Sequence, residues 1–187
     1  MTKKNNKTAK RLTQVDHIAE GLRNLAAPLS TLHSDPDNVR THPQRNIEAI
    51  KASLERFGQQ APVVYVRRGR KNVVIKGNGV LVAARSLGWT KIAAVPSSMA
   101  ECDAAAFGIA DNRTAELAAW DEPGLARLLT DLQAQDYTLL VATGFNDKEL
   151  AEYLRDFDTD IEDGKGDAEQ ATETIRCPKC GHEFRLE

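Results

Sequence analysis

The sequence predicts a small α/β domain of the α+β kind, in which helices pack on a mixed sheet. Short β-branched runs alternate with apolar residues at helical spacing, and 41% of the 187 residues are hydrophobic while only 5% are aromatic. This composition is typical of one globular domain with a core of Ala, Val, Leu and Ile. The chain has no apolar run of the roughly 18 residues that a membrane helix needs, and no secretory signal, so the cytoplasm is its expected location.

The first half of the domain is predicted to contain a strand, a helix and a hairpin, in that order. A short strand is expected at 28–32. Apolar residues spaced three and four apart over 47–57 predict a helix, which Gly58 closes with a positive φ. The β-branched runs at 62–66 and 72–75 flank a basic turn and predict a β-hairpin.

The second half begins with a glycine turn at 77–79, followed by a helix over 80–87 and a strand at 92–95. Ser98 and Glu101 have the spacing of a capping box, which predicts the start of a long Ala-rich helix that runs into the 110s.

Two further helices are predicted by their N-cap residues. Asp121 is expected to cap a helix that ends near Gln133, and Asn146 is expected to cap another over 147–157. Together they form a helical extension after the α/β domain.

Charge divides the chain into parts. The first 11 residues contain Lys and Arg but no acid, whereas 156–169 contains Asp and Glu with a single lysine, Lys165. The acidic stretch also contains glycine and is typical of a linker. The predicted parts are a basic N-terminal tail with a short helix (1–26), the α/β domain (27–120), the helical extension (121–157), an acidic linker (158–174) and a zinc-knuckle-like module (175–187). The net charge of −2 excludes a uniformly basic coat for nucleic acid.

The turn Gly77-Asn78-Gly79 is the first candidate site. It leads from a strand into a helix, so backbone N–H groups and the positive end of the helix dipole face outward, which suits a phosphate. Many strand-to-helix turns contain two glycines only in order to turn, so this motif alone favours the structural interpretation.

The second candidate is Asp111-Asn112-Arg113, on the long helix. A carboxylate beside an amide offers an oxygen pair for a magnesium ion. Taken alone, a solvated helical turn explains these residues better.

The third candidate is the hairpin tip, with four cations at Arg67, Arg68, Arg70 and Lys71. Such a cluster attracts the DNA backbone, and it also serves as a solubilising turn that protects a strand edge. The sequence favours neither interpretation.

The fourth candidate lies near the C-terminus. Cys177, Cys180 and His182 have the spacing of one knuckle of a zinc ribbon, and a redox dithiol is the alternative. These residues supply at most three ligands, so a second copy of the chain or another protein would complete the zinc site. Cys102 is expected to pack within a helix interface.

Taken together, several segments carry a family resemblance that covers about 28–155. They are Asp35-Pro36-Asp37-Asn38-Val39-Arg40, the helix at 50–57, Gly58-Gln59-Gln60-Ala61-Pro62-Val63-Val64, Gly77-Asn78-Gly79 with Ala83-Ala84 and Leu87-Gly88, Ala110-Asp111-Asn112-Arg113, Trp120-Asp121 and Gly144-Phe145. In this order they resemble the ParB N-terminal/sulfiredoxin-like family, and most closely the small ParB-like proteins of phages and mobile elements.

The resemblance implies a nucleotide-phosphate pocket and work on DNA. In chromosome-partition ParB proteins the fold binds CTP with magnesium and clamps DNA, some relatives are called nucleases, and sulfiredoxin uses the fold for ATP-dependent cysteine repair. By position, Gly58 and Gln59 would line the pocket and the turn at 77–79 would cradle phosphates. Asp111 and Asn112 would lie near the metal and the triphosphate.

The chain departs from the family pattern in its glycine loop. That loop usually ends in arginine, a charge-assisted partner for phosphate, but Val80 stands there. We therefore expect weak nucleotide binding with little or no hydrolysis, unless Arg113 or Arg85 turns into the pocket. Arg113 is the better substitute, because it follows the acid–amide pair, whereas Arg85 lies five residues into its helix. Asn78 fills the place of the reactive cysteine of sulfiredoxin, which argues against the repair activity.

The sequence thus predicts a DNA-associated ParB-like protein with a nucleotide or phosphate pocket, magnesium with CTP or ATP as the candidate ligand, and zinc in the tail. A ParB-like nuclease is the second hypothesis, and a non-catalytic adaptor in a DNA packaging or modification complex is the third. Whether the protein is an enzyme stays open at this point.

Overall fold

A computed structural model describes residues 15–162, 174–176 and 183–185, with side chains described up to residue 155. Five strands form one mixed sheet in the order β1-β5-β3-β4-β2. Their bounds are Ala26–Pro28 (β1), Leu32–Ser34 (β2), Val63–Arg68 (β3), Lys71–Lys76 (β4) and Lys91–Ser97 (β5). The predicted α/β class with a small mixed sheet is confirmed.

One hairpin and several crossover connections link the strands of the sheet. β3 and β4 pair antiparallel, as predicted, and Gly69 in their turn has a φ of +59°. β5 joins β3 in parallel and β2 joins β4 in parallel, whereas β1 runs antiparallel to β5. The outer strands β1 and β2 are only three residues long, which limits the exposed edges of the sheet.

Helices cover the sheet and continue beyond it. They span Gln44–Phe57 (α1), Asn78–Ser86 (α2), Glu101–Leu117 (α3), Glu122–Gln135 (α4), Tyr137–Thr143 (α5) and Asp147–Glu162 (α6). α1 packs on α2 and on α5, and α3 contacts β4. In the part of the chain that the structure describes, no helix is both long enough and apolar enough to cross a membrane.

The main core lies between the sheet and α2. Val63, Val74, Leu81, Ala84 and Ile92 are buried there, each no more than 1% exposed. Burial does not alternate strictly along the strands, since β4 and β5 each bury three consecutive residues. On α2, Leu81 and Ala84 have the helical spacing expected from the sequence. A second, smaller core lies in the helical extension, where Leu129, Leu140 and Leu150 pack together.

Several helix boundaries follow from local capping. Gly58 closes α1 with a φ of +68°, and its N–H donates to the Leu54 carbonyl. The Asp121 carboxylate accepts a hydrogen bond from the Gly124 N–H at the start of α4. The Asn146 side chain accepts bonds from two N–H groups in the first turn of α6. These three sequence predictions are confirmed.

Other boundaries differ from the predictions. The strand predicted at 28–32 is not formed as one element: β1 ends at Pro28, Leu29–Thr31 is a short 3-10 helix, and β2 begins at Leu32. α3 begins at Glu101 with Ala100 as N-cap and no side-chain cap, so the capping box with Ser98 is wrong. α5 was not predicted, and α6 extends to Glu162 rather than ending near 157.

Near the C-terminus, Thr174–Arg176 and Glu183–Arg185 pair as two antiparallel strands, β6 and β7. The candidate zinc ligands Cys177, Cys180 and His182 fall between these two segments in the sequence and lie outside the described residues. The basic tail up to residue 14 and the acidic stretch at 163–173 also lie outside them.

Candidate functional site

A cleft of about 200 Å³ lies where β4, the N-terminus of α2, α3 and the loop before α1 meet. Of the sequence-predicted site residues, the structure brings five together here: Gly77, Asn78, Gly79, Asp111 and Asn112. The cleft therefore combines the start of a helix with a carboxylate and an amide from a different helix. Such convergence of segments distant in sequence is not explained by a turn alone.

Both glycines of the turn lie in closely packed surroundings at the cleft. Gly77 has a φ of +91°, and a Cβ atom there would lie 2.7 Å from Cγ1 of Val63. A Cβ atom on Gly79 would lie 2.8 Å from Cδ1 of Ile50 and 2.9 Å from Cε1 of His42. Gly77 therefore needs glycine, because its positive φ and its close contact both disfavour a side chain. At Gly79 the contacting atoms are the ends of the Ile50 and His42 side chains, which can shift, so glycine is favoured there by tight packing.

Asn78 has a structural role at the edge of the cleft. Its side-chain amide donates to the Val74 carbonyl at 2.9 Å, and its oxygen accepts from the Asp35 N–H at 3.1 Å. The residue is only 9% exposed. The Asn78 side chain thus ties β4 and α2 to the loop that follows β2, and a phosphate at this turn would meet backbone N–H groups rather than this amide.

The acid–amide pair on α3 faces the cleft with defined partners. The Asp111 carboxylate forms an ion pair with Lys76, the last residue of β4. The Asn112 amide donates to the Gly108 carbonyl at 2.8 Å, one turn earlier in α3. This bond orients the amide so that its oxygen is left for another contact.

Three basic side chains in the cleft were missed by the sequence predictions: Lys76, Arg40 and His42. Lys76 directly precedes the glycine turn, which is a signal that the sequence offered. Arg40 and His42 come from a loop more than 30 residues earlier, so only the tertiary fold places them here. Arg40 forms an ion pair with Glu116 on α3, and the hydrogen bond from Arg40 lowers the pKa of Glu116.

A second cleft of about 290 Å³ adjoins the first. The two share Asn38, Ile75, Asn78 and Asn112 in their walls. The floor of the second cleft is more apolar, with Ala104 and Gly108 of α3 among its lining residues. The second cleft is also lined by Asp35, Asp37 and Glu101, and Arg68 pairs with the first two of these carboxylates.

Gly58 and Gln59 do not line either of these clefts. Gly58 lies at a separate cleft of about 490 Å³ beside His17 and Trp89. Gln59 is only 1% exposed, and its amide donates to the carbonyls of Ala93 and Ala61 while its oxygen accepts from the Ala93 N–H. With its polar atoms already paired, Gln59 holds β5 against the end of α1.

Arg113, the expected substitute for the missing loop arginine, does not line the cleft either. Its guanidinium pairs with Glu116 at 3.4 Å on the exposed side of α3. Arg85 also points elsewhere, since it donates to the Leu32 carbonyl at 2.7 Å.

The hairpin tip presents fewer free cations than its sequence suggests. Arg68 pairs with Asp35 at 2.7 Å, and its side chain is 23% exposed. Arg67 donates to the Gly69 carbonyl and to Asn72 within the hairpin. Arg70 and Lys71 are exposed at the tip. Of the four predicted DNA contacts, these last two are the most available.

The side chains available as metal ligands limit which metal the described part of the protein could hold. Within residues 15–155, whose side chains the structure describes, no group of three or more His, Cys, Asp and Glu side chains could hold a metal ion. Asp111 and Asn112 supply two oxygen ligands, which suits a magnesium ion that takes its other ligands from phosphate and water. Cys102 is exposed on α3, so its predicted packing role is wrong.

Comparison with known proteins identifies the fold. No family profile matches the sequence, and no curated protein matches it. Among solved structures, the chain is similar to the C-terminally truncated chromosome-partitioning protein ParB from Caulobacter crescentus complexed with CTP-γ-S. The TM-score is 0.60 at 16% identity, covering 74% of this chain and 84% of that one. The same protein complexed to the centromeric parS site gives a TM-score of 0.42 at 15% identity, covering 76% and 79%.

The first of these matches shows that the chain has a ParB-like fold, which confirms that part of the sequence prediction. The TM-score of the second match, 0.42, is too low to support any further conclusion. The closer resemblance to the ParB-like proteins of phages and mobile elements stays a prediction.

Proposed function

We propose that this protein is a DNA-associated ParB-like protein that binds a nucleoside triphosphate through its phosphates in the cleft at Gly77 and Gly79. The observation that carries the proposal is the convergence of the open helix start, the Asp111–Asn112 pair and two cations in one cleft. The ParB-like fold supports it, because a relative of the same fold has been crystallised with a CTP analogue.

The chemistry of the cleft suits binding better than hydrolysis. Backbone N–H groups at a helix start and basic side chains attract phosphate oxygens. When magnesium accompanies the nucleotide, Asp111 and Asn112 are the residues that would hold it, and it would neutralise phosphate charge. Among the described residues that line the cleft, Asp111 is the only carboxylate, and it is engaged by Lys76. The adjoining cleft adds Asp35, Asp37 and Glu101, but these do not form a metal-binding group with it. A nuclease that needs several carboxylates for its metals is therefore the weaker alternative.

The association with DNA rests on the exposed cations of the hairpin tip and on the lysines and arginine of the first 11 residues. Within this proposal the protein acts in phage or mobile-element DNA transactions, and the third hypothesis, a non-catalytic adaptor, holds if no nucleotide binds. The tail at 175–187 is proposed to hold zinc through Cys177, Cys180 and His182, with a partner completing the site. Metal analysis of the protein and its Cys177→Ser/Cys180→Ser variant tests the zinc.

The nucleotide proposal is tested by calorimetry of the full chain with CTP and ATP in magnesium. We expect weak but saturable binding, which Asn112→Ala reduces because the amide faces the cleft. Asn24→Ala, at an exposed position outside the cleft, is the matched control and leaves binding unchanged. If neither nucleotide binds, or if both variants behave alike, the cleft is not a nucleotide site and the adaptor hypothesis gains.

A further inference from the structure

We propose that Lys76, assisted by Arg40, supplies the positive charge for the phosphates in place of the arginine that Val80 replaces. This inference rests on the proposed function. It adds which side chains contact the phosphates and which ion pairs these side chains must break to do so. Lys76 is the last residue of β4 and directly precedes Gly77, so its amine is attached next to the open helix start.

The structure leaves few other candidates for this role. The basic side chains among the described residues lining the cleft are Lys76, Arg40 and His42. His42 shares a hydrogen bond with Asn46 at 2.8 Å, and its ring packs against Gly79, so it has a positioning role. Lys76 is 41% exposed and Arg40 is 47% exposed, so both can reach a ligand that enters from solvent.

In the ligand-free cleft each of these cations is held by a carboxylate of α3. Lys76 pairs with Asp111, and Arg40 pairs with Glu116. Both pairs are partly solvent-exposed, and such ion pairs are weak. A triphosphate carries several negative charges and accepts charge-assisted hydrogen bonds from amine and guanidinium, so it competes well for both cations. Binding is thus an exchange of partners, in which Asp111 and the phosphate compete for Lys76.

This exchange predicts opposite effects for the two members of one ion pair. Lys76→Gln removes the charge that the phosphate needs, and the loss of one charge-assisted bond corresponds to a roughly tenfold or greater weakening. Asp111→Asn removes the competitor, so in the absence of magnesium it tightens binding. A merely structural ion pair would give the same sign for both variants.

The experiment is calorimetry of the full chain without magnesium, using inorganic triphosphate and CTP as probes. We expect Lys76→Gln to weaken both probes, Lys76→Arg to restore them, and Asp111→Asn to tighten them several-fold. The matched control is Lys51→Gln, because Lys51 also pairs with a carboxylate, Glu48 at 2.9 Å, but lies on α1 away from the cleft. Thermal melting of each variant checks that it is folded.

The outcomes separate the inference from the function on which it rests. If the parent binds both probes and Lys76→Gln binds them equally well, the role of Lys76 is wrong while nucleotide binding stands. If Asp111→Asn weakens binding without magnesium, the exchange of partners is wrong. If the parent binds neither probe, both proposals fall. A short DNA duplex as competitor distinguishes the phosphate sources: displacement of triphosphate by equimolar duplex would assign Lys76 to the DNA backbone and overturn the assignment to nucleotide.

Discussion

At the scale of single residues, Gln59 shows how a site residue suggested by a family resemblance can have another role. Its side chain is buried and makes three hydrogen bonds to the backbone of Ala61 and Ala93. A buried amide with its polar atoms paired stabilises the fold, and it has no free group for a ligand. Sequence alone could not reveal this, because burial depends on where β5 passes.

We therefore expect Gln59→Ala to destabilise the protein by about 2–4 kcal/mol, since it leaves buried backbone groups without partners and creates a cavity. The free energy of unfolding in urea measures this. Gln60→Ala is the control, because Gln60 is exposed and its amide bonds only to the Phe57 carbonyl. Equal stability of the two variants would contradict the structural role of Gln59.

The polar and charged residues of the cleft were also only partly predictable. Asp111 and Asn112 were singled out because an acid–amide pair is a recognisable oxygen donor set, and the family resemblance implied a place for them near the metal and the triphosphate. Arg113 was favoured over Arg85 because it directly follows that pair in sequence, but helical geometry turns it toward Glu116 on the exposed side of α3. Arg40 was quoted in the resemblance without a role, since its approach to α3 depends on the loop between β2 and α1.

At the scale of elements, ion pairs join α1 to the helical extension. Arg45 on α1 pairs with Glu149 on α6, and Arg56 pairs with Asp136 before α5. The hydrogen bond from Arg45 lowers the pKa of Glu149 below its ordinary value of 4.5. A carboxylate with a lowered pKa adds stability above its ordinary pKa, and this contribution is lost as the pH falls through the lowered value.

Accordingly, Arg45→Gln should lower the melting temperature by roughly 1–3 °C near neutral pH, because the pair is largely exposed. The difference from the parent should vanish as the pH is brought well below 4.5. Arg127→Gln serves as the control, since the Arg127 guanidinium bonds to the Pro123 carbonyl. A difference that persists unchanged in acid would exclude the ion pair as its cause.

The β3–β4 hairpin is the element on which DNA binding is expected to depend. Arg68 is engaged by Asp35, so the prediction is confined to the exposed tip residues Arg70 and Lys71. Charge reversal of both to Glu should weaken all DNA sequences alike, and should flatten the dependence of log K on log salt by roughly 1.8, about 0.9 for each lost phosphate contact.

Fluorescence anisotropy with two unrelated duplexes over a range of salt measures this effect. Charge reversal of Lys51 and Arg127, which lie outside the hairpin, controls for the change in net charge. Affinities that respond equally to both pairs of substitutions would remove the hairpin from the DNA interface.

At the scale of the whole molecule, the sequence predicted the fold class and most elements, since β-branched runs and helical periods are local signals. It missed α5, which is only seven residues long, and it merged β1 and β2, which are three residues each. The order of the strands and the contact between α3 and the loop before α1 are features of the tertiary structure. They decide which predicted residues share the cleft, and local patterns do not contain them.

The central claim, that nucleotide phosphates bind at the glycine turn, is tested most directly by NMR titration of the isotope-labelled protein with CTP and magnesium. Glycine amide signals are resolved in a characteristic region, and Gly77 and Gly79 lie in the cleft while Gly58, Gly88 and Gly144 do not. We expect saturable shifts of Gly77, Gly79 and Asn112, with the other three glycines unchanged. Shifts centred on Gly58, or none at saturating CTP, would contradict the claim.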